Sequence, residues 1–385
     1  MNAVPYYARS IVLMLAGLLL STAAFALLNT AVPLWLEEDG VLPGGVGLVG
    51  SLYFGGTMAG TLTAGLMIRR FGFNVCYQSA CDLCALSVLG LLAAREWLLW
   101  GGLRFAMGAG SAWIWVVVES ALLRIGSAQT RGVLLAAYMI VYYLGSVLGQ
   151  IVLGTASDSR ELLAMAACGG ALAAMLPFFL LRLPEPRRER APSRRWGPLL
   201  YARSARLGLS GCVIAGISLG SIYALMPLYL KHAGVAGGDV GFWMAGLIGA
   251  GILGQWPAGK LADAWGRERA LRLLAGLAVT ACAGMAVLEP QWLPGCVLLL
   301  GAAAFPMYPV AMAWGCETTP REDLVTMNQM MLLIYSIGSM AGALMTGMLM
   351  QRYSDVWLPA AVALAAILYL ALMAFSRPRG QLLRR

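Results

Sequence analysis

Four charged residues lie inside long apolar stretches of the chain, where a charge has little water to solvate it. They are Asp82, Arg104, Glu119 and Glu317. A charge in the middle of a membrane helix costs about 2.5–3.5 kcal/mol, so each needs a partner, water or a function. Arg104 could bind an anion such as a carboxylate, or be coupled to proton transfer. It could equally be structural and donate to helix carbonyls or to a neighbour such as Asp82, which could itself be a proton site or only a partly solvated partner.

Glu119 and Glu317 occupy similar places near the predicted cytoplasmic ends of their helices. Glu119 follows Arg104 by 15 residues, which in a helix is roughly 22 Å, so these two cannot pair directly. We expect both glutamates to form ion pairs with nearby arginines and so to close an inner gate in one conformational state. Protonation of either glutamate would weaken its ion pair, and this offers a way to couple opening of the gate to proton binding. The basic residues considered as partners are Arg69, Arg70, Arg124, Arg267 and Arg321.

Uncharged polar and aromatic residues in the same apolar stretches are candidates for the wall of a substrate pathway. Amide and hydroxyl groups can bind polar substrate atoms, and aromatic rings can bind apolar ones, although any one tryptophan can equally pack against lipid or core. The candidates are Asn29, Trp113, Tyr142, Gln150, Tyr223, Gln255, Tyr308, Asn328 and Tyr335.

The composition requires a membrane to surround these residues. Of the 385 residues, 60% are hydrophobic and 12% are charged, against about 45–50% and 25% in soluble domains. A soluble enzyme, a nucleic-acid-binding protein and a disordered chain are therefore excluded. A membrane span needs about 20 apolar residues, and the sequence predicts twelve spans. They lie at residues 10–36, 45–68, 74–94, 97–123, 132–154, 162–183, 206–230, 239–262, 270–288, 292–316, 324–349 and 357–376.

The basic residues predict the orientation of these spans. With the N-terminus inside, all but five of the 27 Lys and Arg residues lie on the cytoplasmic side, as the positive-inside rule requires. Both termini are then cytoplasmic, and the net charge of +9 reports orientation rather than an acidic partner. We expect the first apolar run to remain as a helix rather than to be cleaved as a signal peptide. The eight cysteines all fall within spans, and we expect neither a metal site nor a cofactor.

The two halves of the chain are related by an offset of 194 residues. Residues 33–36 (PLWL) fall on 227–230 (PLYL) at this offset, and late in each half, at an offset of 193, 142–149 (YYLGSVLG) resembles 335–342 (YSIGSMAG). The repeat predicts an N-terminal six-helix bundle at 1–183 and a C-terminal one at 206–376. Residues 184–205, rich in proline and charge, form the cytoplasmic linker, and 377–385 a cytoplasmic tail.

Several segments resemble the major facilitator superfamily. Residues 259–267 (GKLADAWGR) are similar to its G-x-L-x-D-x-x-G-R signature, whereas 65–73 (GLMIRRFGF) keep only the glycines. In the family, the signature Asp and Arg help to latch neighbouring helices, a role that carries over here to Asp263 and Arg267 alone. Residues 104–110 (RFAMGAG) resemble the R-x-x-x-G-x-G element, and 145–150 (GSVLGQ) depart from the antiporter element G-P-x-x-G-G at the second and last positions.

The resemblance extends to the YcaD-like branch of this superfamily. The segments that carry it are LNTAVPLWL (28–36), WIWVVVESAL (113–122), AAYMIVYYLG (136–145), GILGQWPAGKLAD (251–263) and YPVAMAWGCE (308–317). The resemblance implies an all-α membrane protein of twelve helices in two pseudo-symmetric bundles, with a substrate site near the midplane between them.

The sequence therefore predicts a secondary active transporter, not an enzyme, in the inner membrane of a bacterium. We expect a monomer that moves a small organic solute by alternating access, coupled to a proton or another ion. Because aromatic residues outnumber charges among the pathway candidates, export of an amphipathic compound is the first interpretation. Uptake of a small anionic metabolite, held by Arg104, is the alternative. A receptor or scaffold on the same fold and a lipid-modifying enzyme are more remote ones.

Overall fold

The computed structural model describes residues 4–94, 96–125, 130–155, 159–175, 202–320 and 323–376. These segments are helical nearly throughout, because long apolar runs without water can satisfy their backbone groups only within a helix. The helices are α1 (Val4–Glu38), α2 (Pro43–Ala93), α3 (Trp97–Ile125), α4 (Arg131–Thr155), α5 (Arg160–Ala173), α6 (Arg203–His232), α7 (Val240–Trp265), α8 (Arg267–Val287), α9 (Leu293–Cys316), α10 (Leu324–Arg352) and α11 (Trp357–Phe375).

Ten helices in the described part of the chain are long and apolar enough to cross a membrane. Helix α2 contains two of the predicted spans, since its 51 residues would extend about 77 Å, well over twice the apolar thickness of a bilayer. It is interrupted at Gly72, whose φ of 80° is a left-handed conformation that favours glycine. The predicted span at 162–183 is described only in its first part, as α5, so the count of twelve stays a prediction.

The two signature-like segments each have a left-handed glycine at their next-to-last position. Gly72 in the first half and Gly266 in the second have φ values of 80° and 87°. At both places the chain leaves one helix and enters the next without an intervening loop. Both signature-like segments therefore join two helices through a left-handed glycine.

The chain packs into two compact units. Unit 1 contains the described residues of the first half together with Pro227–Gly246, and unit 2 contains the rest of the second half. In unit 1, α2 packs along α3, and α1 packs against α4 and α5. In unit 2, α8 packs against α9 and α11. Most of the predicted linker and the whole predicted tail lie outside the described residues, so the division predicted from the repeat remains an expectation.

Each unit contains the same glycine-mediated contact between helices. A Cβ atom on Gly149 of α4 would lie 2.1 Å from the carbonyl oxygen of Ala23 in α1, and one on Gly342 of α10 would lie 2.3 Å from that of Ile217 in α6. Both glycines come from the repeated G-S-x-x-G segments, and only glycine permits such backbone contact. The repeat in the sequence thus corresponds to a repeat in helix packing.

Candidate functional site

Arg104 is the centre of a buried polar cluster in unit 1. It lies on α3 and is only 4% exposed. Its Nη2 donates a 2.6 Å hydrogen bond to Oδ1 of Asn29 on α1, and its guanidinium carbon lies 4.3 Å from the ring centroid of Tyr53 on α2. A cation over an aromatic face is attracted by the ring quadrupole. Three helices therefore position this one side chain.

Glycines allow α2 and α3 to approach closely enough for this cluster to form. A Cβ atom on Gly56 would lie 1.9 Å from the carbonyl oxygen of Phe105, and one on Gly108 would lie 2.1 Å from that of Tyr53. Gly108 belongs to the R-x-x-x-G-x-G element that begins at Arg104. The element thus contains both Arg104 and the glycine whose lack of a side chain lets Tyr53 on α2 approach α3.

No carboxylate of the described residues compensates the charge of Arg104. Within this part of the chain, Nη1 contacts the sulfur of Met107, at 3.6 Å, and Nε is buried without a hydrogen-bond partner. Asp82, considered from the sequence as a neighbour for the arginine, is exposed on α2 and makes no ion pair with it in the described part of the chain. The partner is Asn29, a neutral amide. A buried cation held by a neutral amide and an aromatic ring is well placed to bind an anion.

Two residues of this cluster are absent from the sequence-based candidates. Tyr53 contributes its ring to Arg104, and its hydroxyl lies 3.4 Å from Oγ of Ser111. Both are polar groups in apolar helices, which is the signal that could have identified them. Ser111 follows Arg104 by seven residues on α3 and so lies on the same helix face, two turns along.

The remaining candidates of unit 1 lie in the same group of helices but contact other partners. Gln150 is buried on α4, where its Nε2 donates 2.8 Å to the carbonyl oxygen of Ala26 on α1. The ring of Tyr142 packs edge-on against Trp115 at 5.7 Å. Trp113 donates from Nε1 to Oγ1 of Thr63 at 3.0 Å.

Unit 2 repeats the aromatic pair of unit 1. Tyr308 and Tyr335 lie with ring centroids 4.5 Å apart, and an offset of 193 residues relates them to Trp115 and Tyr142. Tyr223, which the offset of 194 places opposite Asn29, packs on Phe305 at 5.8 Å. Gln255 is half-buried and Asn328 is exposed.

The two glutamates expected at an inner gate differ in their surroundings. Glu317 is bound by Arg267, with Nη1 and Oε2 3.2 Å apart. Glu119 is exposed and has no ion-pair partner in the described segments, so the pairing expected for it stays a prediction. Asp263, Arg69 and Arg70 are also exposed, and Arg124 lies over the ring of Phe73 at 5.2 Å. Arg321 lies outside the described residues.

A second ion-pair cluster lies at the start of α6. Arg203 donates from Nη1 and Nη2 to the two carboxylate oxygens of Glu268 on α8, at 2.8 and 3.0 Å. The arginine also binds main-chain carbonyls at the end of α11, those of Met373 and Ser376. Arg272 contacts Glu268 from the next turn of α8, at 2.5 Å. This cluster connects three helices of unit 2.

Comparison with known proteins identifies the family. The sequence model of the Major Facilitator Superfamily matches residues 14–342. The chain belongs to the major facilitator superfamily. It is 46% identical over 369 residues to an uncharacterized MFS-type transporter of Yersinia pestis (strain Pestoides F), covering 95% of this chain and 96% of that one.

A further relative confirms the expected branch. The uncharacterized MFS-type transporter YcaD of Escherichia coli O139:H28 is 45% identical over 370 residues, again covering 95% and 96% of the two chains. The resemblance to the YcaD-like branch is thereby confirmed, and with it a transporter in a membrane crossed by many helices.

Solved transporters share the fold at low sequence identity. A mutant of the nucleoside transporter NupG superposes with a TM-score of 0.79 at 13% identity, covering 94% of this chain and 99% of that one. A bacterial homologue of the human lysosomal transporter Spinster, in an inward-facing and unoccupied conformation, gives 0.72 at 14%, with 96% and 95% covered. The all-α major facilitator fold predicted from the sequence is confirmed.

Proposed function

We propose that this member of the superfamily is a proton- or ion-coupled transporter of a small organic anion that also has an apolar part. It works by alternating access in the inner membrane, as a monomer with both termini cytoplasmic. The observation that carries the proposal is the burial of Arg104 without a carboxylate partner among the described residues. A substrate carboxylate or phosphate would supply the missing counter-charge.

The surroundings of Arg104 support an anion-binding role over a purely structural one. A structural arginine in a membrane helix saturates its donors with carbonyl groups or pairs with an acid. Here, among the residues that the structure describes, Nε has no hydrogen-bond partner and Nη1 contacts the thioether of Met107. Asn29 and Tyr53 hold the guanidinium in place without neutralising it, so the group is oriented before the substrate arrives, which reduces the cost of ordering on binding.

The repeated aromatic pairs support the proposal that the substrate has an apolar part. Both pairs are half-buried, so part of each ring is exposed and can contact an apolar group. The pairs are Trp115 with Tyr142 and Tyr308 with Tyr335. They also support a second candidate function, the export of an uncharged amphipathic compound that does not need Arg104. The two candidates differ in one respect that can be measured, the dependence of binding on the arginine charge.

The glutamates are the proposed coupling groups. Glu317 pairs with Arg267, and a proton on its carboxylate would weaken that pair and release one of the contacts proposed to close the inner gate. Glu119 is exposed on α3, the helix that also carries Arg104. A proton taken up there would change the charge of the helix that holds the substrate.

Thermal stabilisation of the purified protein by a compound panel tests the proposal. The panel contains organic anions matched with their neutral amides or esters, and the variants are Arg104→Gln and, as a control, Arg352→Gln at the exposed end of α10. We expect stabilisation by some anions and not by their neutral counterparts. Losing a buried charged contact costs about 2 kcal/mol or more, so Arg104→Gln weakens binding at least roughly thirtyfold. Equal stabilisation by neutral analogues, or an unchanged affinity in Arg104→Gln, would favour the second candidate.

A further inference from the structure

The ends of α1 and α6 carry opposite charges at equivalent positions of the repeat. The offset of 194 residues places Glu37 on Lys231 and Glu38 on His232. Both helices end in the same way, at Gly40 with φ 78° and at Gly234 with φ 93°. The next residue in each case bonds back to the helix, as when the Val41 amide donates 2.9 Å to the carbonyl of Leu36. The local structure is conserved between the halves, but the charge is inverted.

The inverted charges meet in the structure. Nζ of Lys231 forms an ion pair with the carboxylate of Glu37 and lies 3.9 Å from Oε1 of Glu38. Nε2 of His232 lies 3.3 Å from the other oxygen of Glu37. The side chains of Glu37 and Lys231 are 24% and 30% exposed, so the pair is partly shielded from water and less screened than a surface pair.

A close contact of backbones joins the start of α7 to α4. A Cβ atom on Gly241 of α7 would lie 2.5 Å from the carbonyl oxygen of Gln150 and 2.6 Å from the nitrogen of Gly154, both on α4. A Cβ on Gly154 would lie 2.8 Å from the ring of Phe242. The segment Pro227–Gly246 is therefore joined to the helices of the first half by an ion pair at one point and by glycine packing at another, which is why it belongs to unit 1.

Charge inversion is what a repeat needs if its equivalent ends are to bind each other. Two identical helix ends that meet about a pseudo-twofold axis would bring like charges together and repel. Replacing the acidic set of one half by a basic set converts that repulsion into attraction. We propose that Glu37, Lys231 and His232 form an outer clamp that holds the outer ends of α1 and α6 together and must open when the transporter faces outward. The proposal rests on the alternating-access function and on the cytoplasmic N-terminus proposed above.

The rate at which a buried cysteine reacts from outside measures the clamp without any substrate. Thr30 on α1 is fully buried and lies seven residues before Glu37, on the same face and about 10 Å further from the helix end. Thr30→Cys is introduced alone, with Glu37→Lys, with Lys231→Glu, and with both. Labelling by a membrane-impermeant maleimide is followed in intact cells and in inverted vesicles, and the native cysteines are subtracted using the same variants without Thr30→Cys.

We expect slow labelling from outside with the native pair and roughly fivefold faster labelling with either single reversal, because loss of about 1 kcal/mol shifts the population by that factor. The double reversal restores the pair and the slow rate, which distinguishes an opened clamp from a misfolded protein. Unchanged rates in both single variants, or no rescue in the double variant, would overturn the clamp. Faster labelling in inverted vesicles alone would overturn the placement of the clamp on the outer side. The measurement needs no transport, so a failed search for substrates leaves its result standing.

Discussion

Replacing Gly108 by alanine tests the packing that presents Arg104. A Cβ atom there would lie 2.1 Å from the carbonyl oxygen of Tyr53, whereas one on Gly102, six residues earlier on α3, would meet nothing within 4 Å. An ordinary contact needs about 3.4 Å, so α2 must move away from α3 by more than about 1 Å. Overpacking of this kind typically costs about 1–3 kcal/mol, and the movement takes the ring of Tyr53 away from the guanidinium.

The control substitution, Gly102→Ala, should stabilise the protein rather than destabilise it. Both substitutions replace a glycine inside α3 by alanine and share a gain of about 0.8–1 kcal/mol in helix propensity, but only Gly108→Ala has the clash, so the two variants should differ by about 1–3 kcal/mol. Thermal unfolding in detergent measures their order: Gly102→Ala melts at or above the wild-type temperature, and Gly108→Ala melts below Gly102→Ala. Equal melting temperatures for the two variants would refute the close contact of α2 and α3 at this point.

Three further outcomes follow from the contacts of single residues. Glu268→Gln removes the charge that holds Arg203 and should lower the free energy of unfolding of unit 2 by about 1–2 kcal/mol, between the values for surface and buried pairs. Arg272→Ala leaves both hydrogen bonds between Arg203 and Glu268 intact and should change the melting temperature little. Asn29→Ala should weaken binding of the stabilising anion roughly tenfold or more, since a hydrogen bond to a charged group contributes about 1.5–3 kcal/mol, and binding titrations that show no change would contradict its positioning role. Glu317→Gln should increase the reactivity of cytoplasmic-side cysteine reporters by releasing the inner ion pair, and an unchanged reactivity would remove this pair from the gate.

Much of the fold could be predicted from the sequence, because its physical causes are local. Apolar length indicates helices, and the glycines at positions 72 and 266 adopt the left-handed conformation expected of a tight turn. The matched G-S-x-x-G segments predict close packing, and Gly149 and Gly342 both make it. These features depend on what a residue can do with its own backbone or with the next helix, so a single sequence is enough to identify them.

The contacts of the candidate site could be predicted only in part. Arg104 stands out because a charge in an apolar helix is costly, but its partners come from α1 and α2, and the sequence suggested Asp82 where the structure has Asn29. Helices that are apolar on every face give no signal for their rotation, so a hydrophobic pattern cannot indicate which polar group faces which. The same reason explains why Tyr53 was missed, and why Glu119 was expected to have an ion-pair partner that the described residues do not supply.

Substrate-driven proton movement through purified protein in liposomes tests the central claim most directly. A pH-sensitive dye is trapped inside, the organic anions that stabilise the protein are added outside, and wild type is compared with Arg104→Gln and Arg352→Gln. The account predicts a proton flux that depends on the anion, is retained in Arg352→Gln and is lost in Arg104→Gln. A flux of equal size in Arg104→Gln would contradict it, and so would wild type in which no stabilising anion drives a flux of protons or, with an ion-sensitive dye in place of the pH-sensitive one, of another coupling ion.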